Sequence, residues 1–159
     1  MRLRVLVISD SHRSVGTVER IILSQPQAKH IFFLGDNTAD VEKLSYEYSD
    51  RFFHIVAGNC DFADTNPNFG IENIAGKRIF YTHGHTLSVK YGTERLFEKA
   101  KSLCCDIALY GHTHIAKTEY RDGIYLINPG SCARSREGGN SYAVIDIEKT
   151  GILPAIIKV

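Results

Sequence analysis

Short runs of consecutive apolar residues alternate with stretches of helical periodicity in the first third of the chain. The apolar runs are 3–8, 31–34 and 52–56, and each has the length and the polar flanks of a strand buried on both faces. Between them, apolar residues recur every three to four positions over 15–23 and 39–48, which is the spacing of an amphipathic helix. This alternation predicts a parallel sheet covered by helices.

Hairpin patterns dominate the second half of the chain. Apolar runs that suit strands are separated there by short turns rich in glycine and polar residues, which favour antiparallel pairing. The predicted elements are strands over 70–74, 78–82 and 107–110, a helix over 93–103, a three-residue turn at 75–77, and turns at 121–123 and 149–151. The two halves together predict an α/β fold with four αββα layers, in which two mixed β-sheets pack face to face with helices outside.

Length and composition favour one domain. A chain of 159 residues can bury one ordinary core, and separate cores in its two halves would each be small. The sequence shows no internal repeat, low-complexity tract or charged linker. We therefore expect a single domain over residues 1–159.

Charge and hydropathy narrow the range of partners. The formal net charge is +1, which predicts no binding of bulk nucleic acid or of an anionic membrane, because such partners require a basic patch. The apolar run at 5–8 is too short for a secretory signal, and no stretch is long enough to span a bilayer. Cys104 and Cys105 are adjacent and no CxxC pair is present, so we expect reduced thiols in a cytoplasmic protein.

Side chains of metal-binding types follow the ends of five predicted strands. They are Asp10 and His12, Asp36, Asn59, His83, and His112 with His114. The carboxyl ends of strands in an α/β sheet meet at one crevice, so separate segments can build one site there. A glycine directly precedes Asp36, Asn59 and His112, which lets the backbone approach closely. Each segment alone is more typical of a turn or a structural histidine, but the ordered set favours a functional site.

The same segments, in the same order, resemble the sequence blocks of the calcineurin-like metallophosphoesterases. The blocks are Asp10-Ser11-His12, Gly35-Asp36, Gly58-Asn59, His83 and Gly111-His112-Thr113-His114. The YfcE-like phosphodiesterase branch, to which the Vps29 scaffold is related, is similar in three further segments: Gly58-Asn59-Cys60-Asp61, Thr82-His83-Gly84-His85 and Asn128-Pro129-Gly130-Ser131. The resemblance extends from Val5 to about Ser131.

The resemblance implies a site for two divalent transition-metal ions. One ion would be bound by Asp10, His12, Asp36 and His114, and the other by Asp36, Asn59, His83 and His112, so that Asp36 bridges the pair. Imidazole and oxygen ligands without thiolate suit manganese, which is our first expectation, or nickel, iron or zinc. Two cations about 3.5 to 4 Å apart stabilise both the attacking and the leaving oxygen of an in-line displacement at phosphorus.

The activity implied is that of a metal-dependent phosphoesterase, foremost a phosphodiesterase. A hydroxide bridging the two ions would attack a small-molecule phosphate ester in line, with Asp36, Asn59 and His83 among the catalytic residues. Monoester substrates stay open, and a homo-oligomer is compatible with the sequence. The alternative is a Vps29-like protein-interaction scaffold with a vestigial or weakly active metal site. The complete set of ligand types favours the enzyme.

Five further residues are candidates around this site. Cys60, counted with the catalytic residues, stands where many members of the superfamily have a histidine that protonates the leaving oxygen; a thiol with a reference pKa of about 8.5 is a poorer acid, and space filling is the alternative. Asp61, also counted as catalytic, either orients a ligand histidine or caps a turn or helix. His85 either contacts substrate or supports a ligand. Arg134 and Arg136 either bind a phosphate oxygen or are solvated loop charges.

Overall fold

The computed structural model describes all residues from 1 to 159. Its elements in chain order are β1 (Leu3–Ile8), α1 (Val15–Ser24), β2 (His30–Phe33), α2 (Thr38–Glu47), β3 (Phe52–Ile55), β4 (Phe69–Ile74), β5 (Lys77–Thr82), α3 (Glu94–Ser102), β6 (Ile107–Leu109), β7 (Lys117–Arg121), β8 (Ile124–Asn128), β9 (Ser141–Glu148) and β10 (Gly151–Lys158). Two short 3₁₀ turns, His85–Leu87 and Val89–Tyr91, precede α3.

The strands form two five-stranded mixed sheets. The first has the order β10-β9-β1-β2-β3 and the second the order β4-β5-β6-β8-β7. The parallel pairs are β1 with β2 and β2 with β3 in the first sheet, and β5 with β6 and β6 with β8 in the second. Hairpin partners extend both sheets in the antiparallel sense. The predicted mixed α/β sandwich is confirmed.

The β1 strand shows how the sequence produces these layers. Val5 and Val7 belong to the apolar cluster between the two sheets, together with Ile79 and Ile107 of the second sheet. Leu6 and Ile8 belong to the cluster beneath α1 and α2. Successive side chains of a strand point to opposite faces, so a continuous apolar run is required when both faces are covered.

Helices α1 and α3 each bury one apolar face against a sheet. Helix α1 buries Val18, Ile21 and Ile22 against the first sheet, whereas α3 buries Leu96 and Phe97 against the second. Each large side chain removed from water contributes about 1.5–3 kcal/mol. None of the helices combines the length and the apolar content needed to cross a membrane.

The turn between β4 and β5 differs from the prediction. Ile74 pairs with Lys77, so the turn has two residues, Ala75 and Gly76, and the predicted three-residue turn is wrong. Both have positive φ angles, 51° and 77°, as a type I′ hairpin requires. The apolar pattern predicted both strands correctly. The presence of Gly76 in the sequence, however, does not indicate whether Lys77 is the last residue of the turn or the first residue of β5.

Candidate metal centre

The predicted ligands lie just beyond the carboxyl ends of strands from both sheets. Asp10 and His12 follow β1, Asp36 follows β2 and Asn59 follows β3. From the second sheet, His83 follows β5, while His112 and His114 follow β6. The parallel middle strands of the two sheets therefore deliver side chains from distant segments to one place.

Four of these residues form what we call the Asp10 group: Asp10, His12, Asp36 and His114. One ligand atom from each lies within 4.8 Å of all the others. His114 Nε2 is 3.1 Å from His12 Nε2 and 3.2 Å from Asp10 Oδ1. The distance from His12 Nε2 to Asp36 Oδ2 is 3.7 Å. Two nitrogens and two carboxylates thus converge on a single point.

The second predicted set, which we call the His83 group, consists of Asp36, Asn59, His83 and His112. His83 Nε2 is 3.0 Å from Asn59 Oδ1, 3.1 Å from His112 Nδ1 and 3.6 Å from Asp36 Oδ2. Asp36 Oδ2 therefore lies at similar distances from His83 of this group and from His12 of the Asp10 group. The structure places Asp36 between the two sets.

The surroundings of the Asp10 carboxylate indicate that these residues fit a cation. Its side chain is fully buried, and Oδ1 has no hydrogen-bond partner. A buried carboxylate oxygen without a partner is costly. Although burial opposes ionisation, His114 and then His83 hold the pKa of Asp10 below its ordinary value, and Asp10 in turn raises the pKa of His114. The site favours positive charge beside Oδ1, which a metal ion would supply.

The histidine rings are fixed by backbone carbonyls on their far sides. His83 Nδ1 donates to the carbonyl of Leu34 at 2.6 Å, and His114 Nδ1 donates to the carbonyl of Arg134 at 2.8 Å. With the proton on Nδ1, Nε2 of the neutral ring presents a lone pair to the centre. Burial, and then His83, lowers the pKa of His112 to about 4, so this ring is neutral near pH 7.

Backbone strain is concentrated at the same residues. Asp10, His12, Asp36, His112 and His114 have positive φ angles of 55°, 43°, 63°, 68° and 59°. This left-handed region is uncommon for residues other than glycine and costs on the order of 1–3 kcal/mol per residue. Strain of this kind clusters at functional sites, where the surrounding structure holds it in place.

The glycines before the ligands are needed for close approach. A Cβ atom on Gly58 would lie 2.2 Å from Asp36 Oδ1, and one on Gly111 would lie 2.1 Å from Ser9 Oγ. The missing side chains let the turn after β3 pack against Asp36 and the turn after β6 pack against Asp10.

Asp61 contacts the backbone and not a histidine. Its carboxylate accepts hydrogen bonds from the N–H groups of Asp36, Asn37, Thr38 and Gly58 at 2.7–3.0 Å. Two of these donors belong to the start of α2, so the contacts are those of a helix cap, the second of the two roles considered for Asp61. Asp61 reaches the centre through the backbone of Asp36 and of Gly58, which makes it a positioning residue.

Cys60 lies at the edge of the centre and is exposed. Its backbone N–H donates to Asp36 Oδ1 at 3.0 Å, and its Sγ atom lies 3.6 Å from Asn59 Nδ2. Burial, and then the charge of Asp36, raises the pKa of the thiol. The exposure argues against a purely space-filling role.

The remaining predicted residues divide by position. Arg134 and Arg136 line the cleft of about 340 Å³ over the centre, together with His12, Asp36, Asn59, Cys60, His112 and His114. His85 does not line that cleft: its ring centroid is 5.4 Å from that of His83, and its Nδ1 atom is buried without a partner. Its role stays a prediction, as do the roles of the two arginines.

Sequence reasoning missed two residues at the centre. Lys90, in the second 3₁₀ turn, lines the same cleft, and no motif marked it, because its position depends on how that turn folds back. Ser9 donates from its hydroxyl to Asp10 Oδ2 at 2.5 Å. Its place directly before Asp10, at the end of a buried strand, was a signal that could have indicated this contact.

Comparison with known proteins identifies the family of this chain. The family model "Calcineurin-like phosphoesterase superfamily domain" matches residues 3–150. The chain belongs to the calcineurin-like phosphoesterase superfamily. This superfamily is metal-dependent, and the Asp10 group is a candidate metal-binding cluster.

Three curated members of the superfamily are similar over nearly their whole length. Phosphodiesterase MJ0936 of Methanocaldococcus jannaschii is 38% identical, with 92% of this chain and 95% of that protein covered. Phosphodiesterase YfcE of Escherichia coli strain K12 is 29% identical, covering 95% and 91%. Vacuolar protein sorting-associated protein 29 of Schizosaccharomyces pombe is 31% identical, covering 96% and 82%. The predicted resemblance to the YfcE-like branch, related to Vps29, is confirmed.

A solved structure shares the fold. The predicted phosphoesterase from Streptococcus pneumoniae TIGR4 superposes with a TM-score of 0.88 at 24% identity, with 99% of this chain and 90% of that chain covered. At this identity the likeness shows the fold alone, and it supports the arrangement of two sheets described above.

Proposed function

We propose that this protein is a phosphodiesterase that hydrolyses small-molecule phosphate esters at a dinuclear metal centre. One observation carries the proposal: Asp36 Oδ2 lies 3.7 Å from His12 Nε2 and 3.6 Å from His83 Nε2, between the Asp10 group and the His83 group. A carboxylate in that position suits a bridging ligand. The relatives named as phosphodiesterases support the same reaction class.

The Asp10 group would hold one divalent cation and the His83 group the other, with Asp36 shared. Two such ions, manganese first and nickel, iron or zinc as alternatives, would supply a bridging hydroxide for in-line attack at phosphorus and offset the charge on the phosphate oxygens. The chain itself contributes imidazoles whose orientation is fixed by the carbonyls of Leu34 and Arg134.

Basic side chains around the centre would orient the phosphate. Arg134 and Arg136 line one cleft with the metal-ligating side chains, and Lys90 lines it as well. Guanidinium and ammonium groups form charge-assisted hydrogen bonds with non-bridging phosphate oxygens. Cys60 lies next to Asn59 at the rim of that cleft. The products would be a phosphomonoester and an alcohol.

The Vps29-like scaffold is not favoured. Every position of the two predicted ligand sets carries a side chain of a metal-binding type, and the short distances within each set support the enzyme. We propose a cytoplasmic enzyme.

Metal analysis joined to an activity assay tests this proposal. The substrate is bis(p-nitrophenyl) phosphate with added manganese or nickel, and the variant is Asp36→Asn, which removes one charge with little change of shape. We expect about two metal ions per wild-type chain, and in the variant loss of metal and a decrease in turnover of about 10³-fold or more.

Asp40→Asn is the matched control, because Asp40 lies near Asp36 in sequence but outside both ligand groups. It should keep both metal and turnover. A wild-type protein that binds two ions yet hydrolyses no phosphate ester would support the scaffold instead.

A further inference from the structure

We infer that one alcohol of the substrate carries a positive charge and occupies a second cleft beside the metal centre. This inference rests on the proposed phosphodiesterase function and specifies its substrate class. The second cleft, which we call the α2 cleft, lies between the start of α2 and the segment 60–65.

The α2 cleft adjoins the cleft over the metal centre. It has a volume of about 420 Å³ and is lined by Asn37, Thr38, Ala39, Glu42, Cys60, Asp61, Phe62, Ala63, Asp64 and Thr65. Cys60 also lines the cleft over the centre, so the two spaces meet at this residue. A diester whose phosphate is bound at the centre would therefore extend one of its two substituents past Cys60 into the α2 cleft.

The side chains that line the two clefts carry opposite charges on the two sides of Cys60. On the side of the centre, Lys90, Arg134 and Arg136 line the space. The α2 cleft contains no lysine or arginine and has the carboxylates of Glu42, Asp61 and Asp64.

One of those carboxylates, that of Glu42, has an oxygen free for a ligand, because Asp64 is engaged by the Thr38 hydroxyl and by the backbone and side chain of Asn66. Asp61 is engaged by backbone N–H groups, but Glu42 accepts only the side chain of Asn66 at 2.5 Å. Burial opposes ionisation of Asp64, but the Thr38 hydroxyl and then the Asn66 backbone keep its pKa below the ordinary value. The lowered pKa keeps Asp64 negatively charged at neutral pH. Because no lysine or arginine lines the α2 cleft, the cleft attracts cations and repels further phosphate groups.

Phe62 supplies an independent indication of the ligand. Its side chain is 89% exposed at the wall of the α2 cleft and belongs to none of the three apolar clusters of the fold. An aromatic face beside carboxylates is the arrangement that recognises quaternary ammonium groups, through cation–π attraction and charge. An ammonium alcohol such as choline meets both conditions.

A pair of chromogenic diesters isolates the charge. p-Nitrophenyl phosphocholine and its isostere p-nitrophenyl 3,3-dimethylbutyl phosphate have the same shape. They differ in that a neutral tert-butyl group replaces the trimethylammonium group. In both reactions water adds across the aryl P–O bond, releasing p-nitrophenolate and a proton and leaving the alkyl phosphate. We expect the wild-type protein, loaded with manganese, to favour the choline ester by about fivefold in kcat/KM, the size of one partly screened charge contact.

Variants locate that preference in the α2 cleft. Glu42→Lys should reduce the ratio to one or below, because a cation replaces the attracting carboxylate. Phe62→Ala should lower kcat/KM for the choline ester more than kcat/KM for its isostere. Glu47→Lys is the matched control: it makes the same charge change in the same helix at an exposed residue that does not line the cleft, so the ratio should stay as in the wild type.

Binding measurements separate this inference from the proposed function. Phosphocholine and 3,3-dimethylbutyl phosphate are titrated by calorimetry into wild type and Glu42→Lys. Preferential binding of phosphocholine that depends on Glu42, without hydrolysis of any diester, would overturn the phosphodiesterase and leave the α2 cleft as a cation site. Hydrolysis with equal rates for both esters, in both proteins, would overturn the inference and leave the enzyme. If the protein shows no preference for phosphocholine and hydrolyses no diester, both proposals are overturned.

Discussion

The carboxylate of Asp61 lies 2.8 Å from the backbone nitrogen of Asp36 and accepts its hydrogen bond. The same carboxylate accepts the N–H of Gly58 at 2.7 Å. One side chain thereby joins the turn after β2 to the turn after β3, and these turns carry Asp36 and Asn59 of the candidate metal centre. The left-handed backbone at Asp36 is held from outside the ligand set.

Replacing Asp61 should therefore weaken the fold and the centre together. We expect Asp61→Ala to lower the free energy of unfolding by about 1–3 kcal/mol, because the N–H groups at the start of α2 lose their acceptor. Asp61→Asn, which keeps one acceptor oxygen, should lower the free energy of unfolding by less. Urea unfolding and manganese titration are the measurements. Unchanged manganese affinity in Asp61→Ala would show that Asp61 does not position Asp36.

Gly58→Ala should damage the centre more than its size suggests. The new methyl group would meet Asp36 Oδ1 at 2.2 Å, so either the carboxylate or the turn must move. We expect loss of bound metal and a decrease in turnover of at least about 10²-fold, because misplacement by about 1 Å has effects of that size. Metal content and diester hydrolysis check this.

Gly16→Ala provides the control for that substitution. Gly16 lies in α1, and nothing is within 4 Å of its would-be Cβ. Alanine is the better helix former, so the control should keep activity and gain up to about 1 kcal/mol of stability. Equal metal content in the Gly58 and Gly16 variants would contradict the close-approach argument.

The ion pair between Asp146 of β9 and Arg4 of β1 predicts a dependence of stability on pH. Asp146 accepts hydrogen bonds from Arg4 Nε and Nη2, both at 2.9 Å, and also pairs with Arg2. These contacts hold the pKa of Asp146 well below its unfolded value of 3.8. Because the folded pKa is the lower one, the pair stabilises the protein fully above the unfolded value and progressively less as pH falls towards the folded value.

Asp146→Asn tests this sign. The variant should be less stable by about 2 kcal/mol at pH 7, the size expected for hydrogen bonds to charged groups, and the difference should shrink below about pH 4. Urea unfolding at pH 7, 5 and 3 measures it. Asp50→Asn removes an exposed partner of Lys29 and should have a smaller effect. A difference between wild type and Asp146→Asn that grows on acidification would refute the assignment.

Cys60→His tests leaving-group chemistry. Cys60 borders the centre and is exposed, and an imidazole there is a better general acid near neutral pH than a thiol. We expect the variant to accelerate hydrolysis of alkyl diesters relative to bis(p-nitrophenyl) phosphate, whose leaving group needs little protonation. Cys60→Ser serves as the size-matched control. An unchanged ratio in the histidine variant would remove Cys60 from this step.

Most of the fold was predictable because burial on two faces leaves a strong signal. The predicted strand over 3–8 matches β1 to the residue, and the predicted helices over 15–23 and 39–48 lie within a residue of α1 and α2 at each end. The apolar pattern could not decide the turn at Ala75 and Gly76, whose type depends on φ angles. The single-domain prediction stays a prediction.

The residues of the centre were predictable as a set, but their mutual support was not. Strand ends followed by Asp, Asn and His indicated which side chains meet. The contacts of Asp61 with backbone N–H groups, and the place of Lys90 beside the arginines, depend on tertiary structure. Nothing in the local sequence distinguishes a carboxylate that caps a helix from one that orients an imidazole.

The centre draws its side chains from both halves of the sandwich: Asp36 from the first sheet and His83 from the second lie 3.6 Å apart. A cation bound by both residues would cross-link the two sheets and would resist any sliding of one sheet over the other. Removal of the metal by a chelator should then increase amide hydrogen exchange first at the strand ends around the centre, and only later in the distant hairpins.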